Sequence, residues 1–308
     1  MSVIGIDTSN YTTSIAYFDG ETGVNCSRLL PVKPGELGLR QSDAVFAHTK
    51  SLPDLSGRLF SNAEVGKITA VGVSTRPRAV EGSYMPCFMV GYSHAKLLSD
   101  ALGVPLIEVS HQQGHVAASL WSSGHLELME EPHLAWHLSG GTTELLLVEP
   151  DGKNVKCTKI GGTTDISAGQ LIDRTGVMLD LPFPAGKHVD ALSKEATMKE
   201  TFKVKCPGME FSLSGVQNKV QQFHQKNGVP AETAAFALRC VASAVFQATQ
   251  NALKAYPGLK VVFSGGVASN SMLREVITPL NPIFCEPQYS TDNAMGVAVL
   301  TYRYTQEG

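Results

Sequence analysis

The sequence predicts an α/β protein of two domains that share an internal structural duplication. Three observations carry this. The 308 residues are 43% hydrophobic, enough for a large core and two domains. Apolar runs of strand length alternate with longer helical stretches. Two strand–turn–strand units, one in each half, have turns built from hydroxyl residues and glycine. Charged residues make up 17% and the net charge is -3, with a pI near 6.3. Nothing global points to nucleic acid or to a membrane, so a polyanion partner would need a local basic patch. The six Cys residues are scattered without a CxxC pair and no signal peptide is evident. Reduced thiols and a cytoplasmic location are expected. No apolar run reaches the roughly 18 residues of a spanning helix.

Val3-Ile4-Gly5-Ile6-Asp7 is an apolar strand ending in an acid. The turn Thr8-Ser9-Asn10-Tyr11-Thr12-Thr13 leads into a returning strand, Ser14 to Phe18. A hairpin turn rich in hydroxyls and backbone donors suits phosphate, although many such hairpins are plain connections. Leu39 to Leu52 reads as a helix in which His48 serves packing, and Pro53 interrupts it before a shorter stretch from Asp54 to Phe60. Ala70 to Ser74 is a strand, followed by a loop whose Arg76 and Arg78 either face an anion or are merely solvated. Met89 to Leu102 is a helix closed by Gly103.

Ser110-His111-Gln112-Gln113-Gly114-His115 follows the strand Val104 to Val109. Ser110 with Gln113 three residues on fits a capping box, so a helix starts here and runs through Trp121. Residues four apart share a helix face, so the imidazoles of His111 and His115 can converge on one ion. Pairs at this spacing also occur as surface or packing residues. A zinc-protease pattern needs Glu directly after the first His, and Gln112 cannot take a proton there. Gly114 between the two costs about 1 kcal/mol relative to Ala, which implies a close approach to the helix backbone.

The second half repeats the opening. Leu134 to Leu138 is a strand, Ser139-Gly140-Gly141-Thr142-Thr143 a turn of small residues, and Glu144 to Val148 the return. Asp165 to Leu179 reads as a helix carrying Asp173, broken by Pro182-Phe183-Pro184-Ala185-Gly186, with Asp190 just beyond. Lysines from Lys187 to Lys226 make the following region the most basic, and a solvated face is the default reading over an RNA-facing patch. Pro230 opens a long helix to Ala255. Strand Leu259 to Phe263, then Ser264-Gly265-Gly266, then a helix is a recurrent way to bring a nucleotide to the backbone. Asp292, in Ser290-Thr291-Asp292-Asn293-Ala294, is either a plain N-cap or a ligand at a helix start.

Five runs, in this order, resemble the tRNA threonylcarbamoyladenosine synthase family (bacterial TsaD and its counterparts, once labelled O-sialoglycoprotein endopeptidase). They are His111-Gln112-Gln113-Gly114-His115, Leu138-Ser139-Gly140-Gly141, Phe211-Ser212-Leu213-Ser214-Gly215, Gly265-Gly266-Val267-Ala268-Ser269-Asn270 and Ser290-Thr291-Asp292-Asn293-Ala294. The resemblance implies the two-lobed actin-like, sugar-kinase-like (ASKHA) ATPase fold with a ligand cleft between lobes. Its limits would be an N-terminal lobe of residues 1–109 completed by a C-terminal helix at about 294–308, and a C-terminal lobe of 110–293.

By the same resemblance, His111, His115 and Asp292 fall where the family binds iron or zinc, and two His with one carboxylate suit a Lewis-acid site. His137 falls where some members carry a metal-coordinating Tyr, a fourth candidate ligand. His137, Leu138, Ser139, Gly140 and Gly141, with Asp173, Gly186, Asp190 and Asn270, match the family's contacts to nucleotide and substrate. The implied reaction moves a threonylcarbamoyl group from threonylcarbamoyl-AMP to an anticodon-loop adenosine of tRNA. AMP or ATP is the implied nucleotide. The implied protein partners are a TsaD-like homologue and an ATPase, with no membrane. The chain departs from the family's acidic pair at Asn10-Tyr11-Thr12-Thr13, from its Gly-Pro-Gly loop at Arg76-Pro77-Arg78-Ala79, and from His or Asn at Thr142. These changes keep open a paralogue acting as another carbamoyltransferase or ATP-binding enzyme, or a non-catalytic subunit.

Overall fold

A computed structural model describes residues 1–9, 11–31, 39–62 and 67–306. Asn10, part of the run Thr8 to Thr13 read as a turn from the sequence, lies outside them. The chain divides into two units. Unit 1 comprises Met1–Glu131, Glu149–Cys157 and Asp292–Gly308, and unit 2 comprises Pro132–Val148 and Thr158–Thr291.

Unit 1 begins with β1 (Ser2–Ser9), β2 (Thr12–Phe18) and β3 (Gly23–Leu29), then α1 (Gln41–Asn62), β4 (Ile68–Arg76), α2 (Phe88–Leu102), β5 (Leu106–Ser110) and α3 (His111–Ser122). Its sheet has the order β3-β2-β1-β4-β5. β1 pairs antiparallel with β2, and β4 lies parallel to both β1 and β5. β1 and β2 are buried along their whole length, polar residues included, so both faces of these strands are covered.

Pro53 does not interrupt the first helix. α1 runs through it because Leu52, Leu55 and Leu59 form one buried stripe against Ile4, Ile6 and Val73 of the sheet. Burying each such side chain contributes roughly 1.5–3 kcal/mol, enough to offset one missing helix hydrogen bond.

The second sheet is built from β6 (His133–Leu138), β7 (Thr143–Asp151), β8 (Asn154–Thr163), β9 (Glu210–Phe211), β10 (Val261–Ser264) and β11 (Ile283–Phe284), in the order β11-β10-β6-β7-β8-β9. β6 pairs antiparallel with β7, and β10 lies parallel to both β6 and β11. Apart from the added β9, this repeats the order of the first sheet, the duplication the two hairpins imply. The tip of the β7–β8 hairpin clusters with unit 1.

The helices of unit 2 are α4 (Ala168–Met178), α5 (Gly186–Ser193), α6 (Ser214–Asn227), α7 (Pro230–Ala255) and α8 (Ser271–Ile277). α7 lies in the core with Trp136, Leu145, Phe211 and Phe263, and Phe236 on it stacks on Phe223 of α6 at 4.4 Å. α4 starts three residues later than the pattern suggests. Ser167 caps it with Gln170 in a capping box, while the Asp165 carboxylate turns away to accept from Ser212, Leu213 and Ser214.

The last helix, α9 (Met295–Thr305), belongs to unit 1. It packs against β1 and β4 and crosses α3 at two glycines: a Cβ on Gly296 would lie 1.8 Å from the Gly114 carbonyl oxygen. The close approach that Gly114 implies is therefore to a neighbouring helix. This crossing also holds residues 110–131 in unit 1, whereas the sequence reading set them at the start of the second lobe. Among the described residues, no helix is long and apolar enough to cross a membrane.

Candidate metal centre and nucleotide pocket

The capping box at the start of α3 forms as expected. Ser110 Oγ accepts from the Gln113 backbone N–H, and the Gln113 carboxamide oxygen accepts from the Ser110 N–H. The Gln113 amide group also donates to the Val155 carbonyl at 2.7 Å, which fixes the first turn of the helix. His111 and His115 are thus presented from one helix face by a locked N-terminus.

Asp292 reaches the same point from the segment before α9. His115 Nε2 lies 3.0 Å from His111 Nε2 and 3.2 Å from Asp292 Oδ1, and His111 Nε2 lies 3.5 Å from that oxygen. All three residues belong to unit 1. Asp292 is not the helix cap. The Asn293 side-chain oxygen accepts from the Met295 N–H instead, and the Asp292 carboxylate is directed at the imidazoles.

The donor set fits a divalent ion. An ion bonded at about 2.0–2.2 Å to His nitrogen and carboxylate oxygen sets neighbouring donors about 3–3.5 Å apart, and the three observed separations lie in that range. Two neutral imidazoles with facing Nε2 atoms also share a gap that only one proton, or one cation, can fill. Among the described residues, His111, His115 and Asp292 are the group whose donor atoms meet in this way.

Behind His111 stands a residue that sequence reasoning did not assign to the site. His111 Nδ1–H donates to Asp7 Oδ2 at 2.8 Å, and the Asp7 side chain is only 1% exposed. Burial works against a charged His111 imidazole, yet the carboxylates of Asp7 and Asp292 on either side push it up to about 10. Burial likewise works against the Asp292 carboxylate, but His111 and His115 hold it well below the usual range. Asp7 is also lowered, with burial overcome by His111. His48 is fully buried and its Nδ1 is 2.8 Å from Thr13 Oγ1, so it serves packing.

Unit 2 holds a separate pocket of about 660 Å³. Of the residues matched by resemblance, Gly140, Asp173, Gly186, Asp190 and Asn270 line it together. Gly266 of the Gly-Gly loop also lines it, as do Gly169, Lys187 and His188. Lys187 and His188 stand beside the matched Gly186, and no signal in the sequence pointed to Gly169. Asp173 accepts from the Ala185 N–H at 2.8 Å, and burial raises its carboxyl. Asp190 is largely engaged. Its Oδ1 accepts from Asn270 Nδ2, Ser271 N–H and Ser271 Oγ at 2.7–3.0 Å, joining α5 to the start of α8.

The remaining matched residues lie beside the pocket. Ser139 closes the β6–β7 turn by accepting from the Thr142 N–H, Gly141 sits at its tip, and the Leu138 side chain is buried. Gly265 has φ +91° and abuts the Leu138 carbonyl, where a Cβ would fall at 2.1 Å. His137 lies in unit 2 on β6, opposite Glu144 and Ser264, and is not among the three converging donors.

The profile of the family described as TsaD, tRNA N6-adenosine threonylcarbamoyltransferase, matches residues 37–299. A tRNA N6-adenosine threonylcarbamoyltransferase of Carboxydothermus hydrogenoformans is 35% identical over 83% of this chain and 77% of its own length. One of Thermosipho africanus is 31% identical over 100% of this chain and 96% of its own. Component A of the Acidaminococcus fermentans (R)-2-hydroxyglutaryl-CoA dehydratase superposes with a TM-score of 0.57 at 15% identity, over 99% of this chain and 98% of that one. A ROK hexokinase of Thermus thermophilus gives 0.53 at 16%, over 100% of each. These two likenesses show the fold, the actin-like, sugar-kinase-like ATPase class. By profile and by relatives, this chain belongs to the tRNA N6-adenosine threonylcarbamoyltransferase family.

Proposed function

We propose that this protein transfers a threonylcarbamoyl group from threonylcarbamoyl-AMP to the exocyclic amine of an anticodon-loop adenosine in tRNA. The observation that carries the reading is the donor triangle of His111, His115 and Asp292 in a chain of this family. These three residues would hold one divalent ion, iron or zinc. When bound, the ion supplies a Lewis acid for the carbamoyl carbonyl or the phosphate.

The chain's own groups do the rest. Gly140 and Gly266 leave backbone donors open to phosphate, while Asp173 and Asp190 Oδ2, which also pairs with Lys194 at 3.6 Å, accept from ribose hydroxyls. In the transfer, the adenosine nitrogen forms a bond to the carbamoyl carbon. The bond from that carbon to the phosphate oxygen breaks, AMP leaves with the electron pair, and the amine proton passes to solvent. The reading includes partner proteins, a homologue and an ATPase, and a cytoplasmic setting.

A second reading keeps the carbamoyl donor and changes the acceptor. The exposed loop carrying Arg76 and Arg78 favours it, because its Pro77 carbonyl accepts from the Gln112 N–H beside the ligand pair. Complementation in cells depleted of the standard enzyme separates the two. Restored threonylcarbamoyladenosine in tRNA supports transfer to tRNA. A catalytically intact protein that consumes threonylcarbamoyl-AMP without restoring the modification supports the second reading.

A further inference from the structure

Asp7 lies two residues before the end of β1 and 104 residues before His111, and it is not among the three converging donors. Both of its carboxylate oxygens are occupied by N–H donors. Oδ2 accepts from His111 Nδ1 at 2.8 Å, and Oδ1 accepts from the Ser9 backbone N–H at 2.9 Å. It stands on β1, where it pairs with Ser14 of β2 and directly follows Ile6, paired with Val73 of β4, so its position is set by the sheet. It is therefore a rigid acceptor aimed at one side of one imidazole.

The two imidazoles differ in what holds them. His115 lies one turn into α3 and is buried. His111 is the first residue of that helix, is more exposed, and touches the Phe88 ring edge-on at 6.2 Å. An imidazole at that place has two ring orientations and two neutral tautomers open to it. Only one combination presents a lone pair on Nε2 toward His115 and Asp292. A carboxylate accepting from Nδ1–H selects that combination and makes the opposite nitrogen a stronger donor.

We infer that Asp7 is a positioning residue for the ligand centre: it fixes His111 as the Nδ1–H tautomer with Nε2 turned to the ion. This rests on the metal-site reading above. The carboxylate also ties the end of β1, through Ser9, to the ligand helix.

The test uses Co²⁺ as the probe on the full chain, with two readouts: the dissociation constant by competition with a chromophoric chelator, and the visible absorption of bound Co²⁺. The variants are Asp7→Ala, Asp7→Asn, His111→Ala and Asp292→Ala, each checked for fold by circular dichroism. Loss of the partner is expected to weaken Co²⁺ binding about 10–100-fold in Asp7→Ala and to alter the Co²⁺ spectrum. Asp7→Asn keeps size and a weaker acceptor, so it shows a smaller loss and serves if the alanine variant does not fold. The inference is overturned if both Asp7 variants match wild type in affinity and spectrum while His111→Ala and Asp292→Ala lose binding. If those two ligand variants also bind as wild type does, the metal-site reading itself falls and takes the inference with it.

Discussion

Asp292 Oδ1 lies 3.2 Å from His115 Nε2, although 177 residues separate them in the chain. The contact exists because α9 returns to unit 1 and crosses α3 at Gly296 and Gly114, placing the segment before α9 beside the imidazoles. The geometry of the donor triangle and the helix packing are therefore one arrangement.

Asp292→Ala removes the only carboxylate of the triangle. The variant is expected to purify with little bound metal and to lose at least 100-fold in transfer activity, while keeping its fold. Metal analysis by mass spectrometry beside a single-turnover transfer assay reads both. Full metal content in the variant would refute the ligand assignment.

Ion binding should release a proton near neutral pH. His111 is pushed up to about 10 in the ion-free protein, so at pH 7.5 it carries a proton that the ion must displace. Affinity should therefore rise with pH until about 10. Calorimetry in buffers of different ionisation enthalpy is expected to give close to one proton released per ion at pH 7.5. The same raised value makes a stability statement. In chelated protein, the His111 contribution is fully present below about 6.5, the unfolded value. It is lost as pH rises through about 10.

Two glycines should respond in opposite directions. Gly296→Ala forces a Cβ to 1.8 Å from the Gly114 carbonyl and should cost about 1–3 kcal/mol or more. Gly57, within α1, has nothing within 4 Å of its added Cβ, so Gly57→Ala should stabilise by about 0.5–1 kcal/mol. Thermal melting of the two variants beside wild type checks both signs, and a neutral Gly296→Ala would contradict the packing account.

Asp190 accepts from Ser271 N–H at the start of α8 and lines the unit 2 pocket. Asp190→Ala is expected to cost about 1 kcal/mol of stability through the lost hydrogen bonds to Asn270 and Ser271 and to weaken AMP binding several-fold. Its metal content should be unchanged, since His111, His115 and Asp292 lie in unit 1. Equilibrium dialysis with AMP and metal analysis on one preparation test this.

What the sequence disclosed follows the range of the interactions. The His pair, the capping box of Ser110 and Gln113, and the glycine end of α2 depend on residues a few positions apart, and each was legible. Asp292 was ambiguous from local pattern, because a carboxylate before a helix is as good a cap as a ligand. Only the family resemblance chose between them. Asp7 was visible as an acid ending an apolar strand, but its partner lies 104 residues away and nothing local names it. Pro53 misled because the buried Leu52, Leu55 and Leu59 stripe is a tertiary effect that outweighs a local break. Asp190 looked like a ribose acceptor, and its bonds to Asn270 and Ser271 emerged only from the fold.

Anomalous diffraction from crystals loaded with zinc or iron tests the central claim most directly. The account expects one strong peak about 2.0–2.2 Å from His111 Nε2, His115 Nε2 and an Asp292 carboxylate oxygen together. A peak elsewhere, or none at this triangle in crystals that bind the metal, would contradict it.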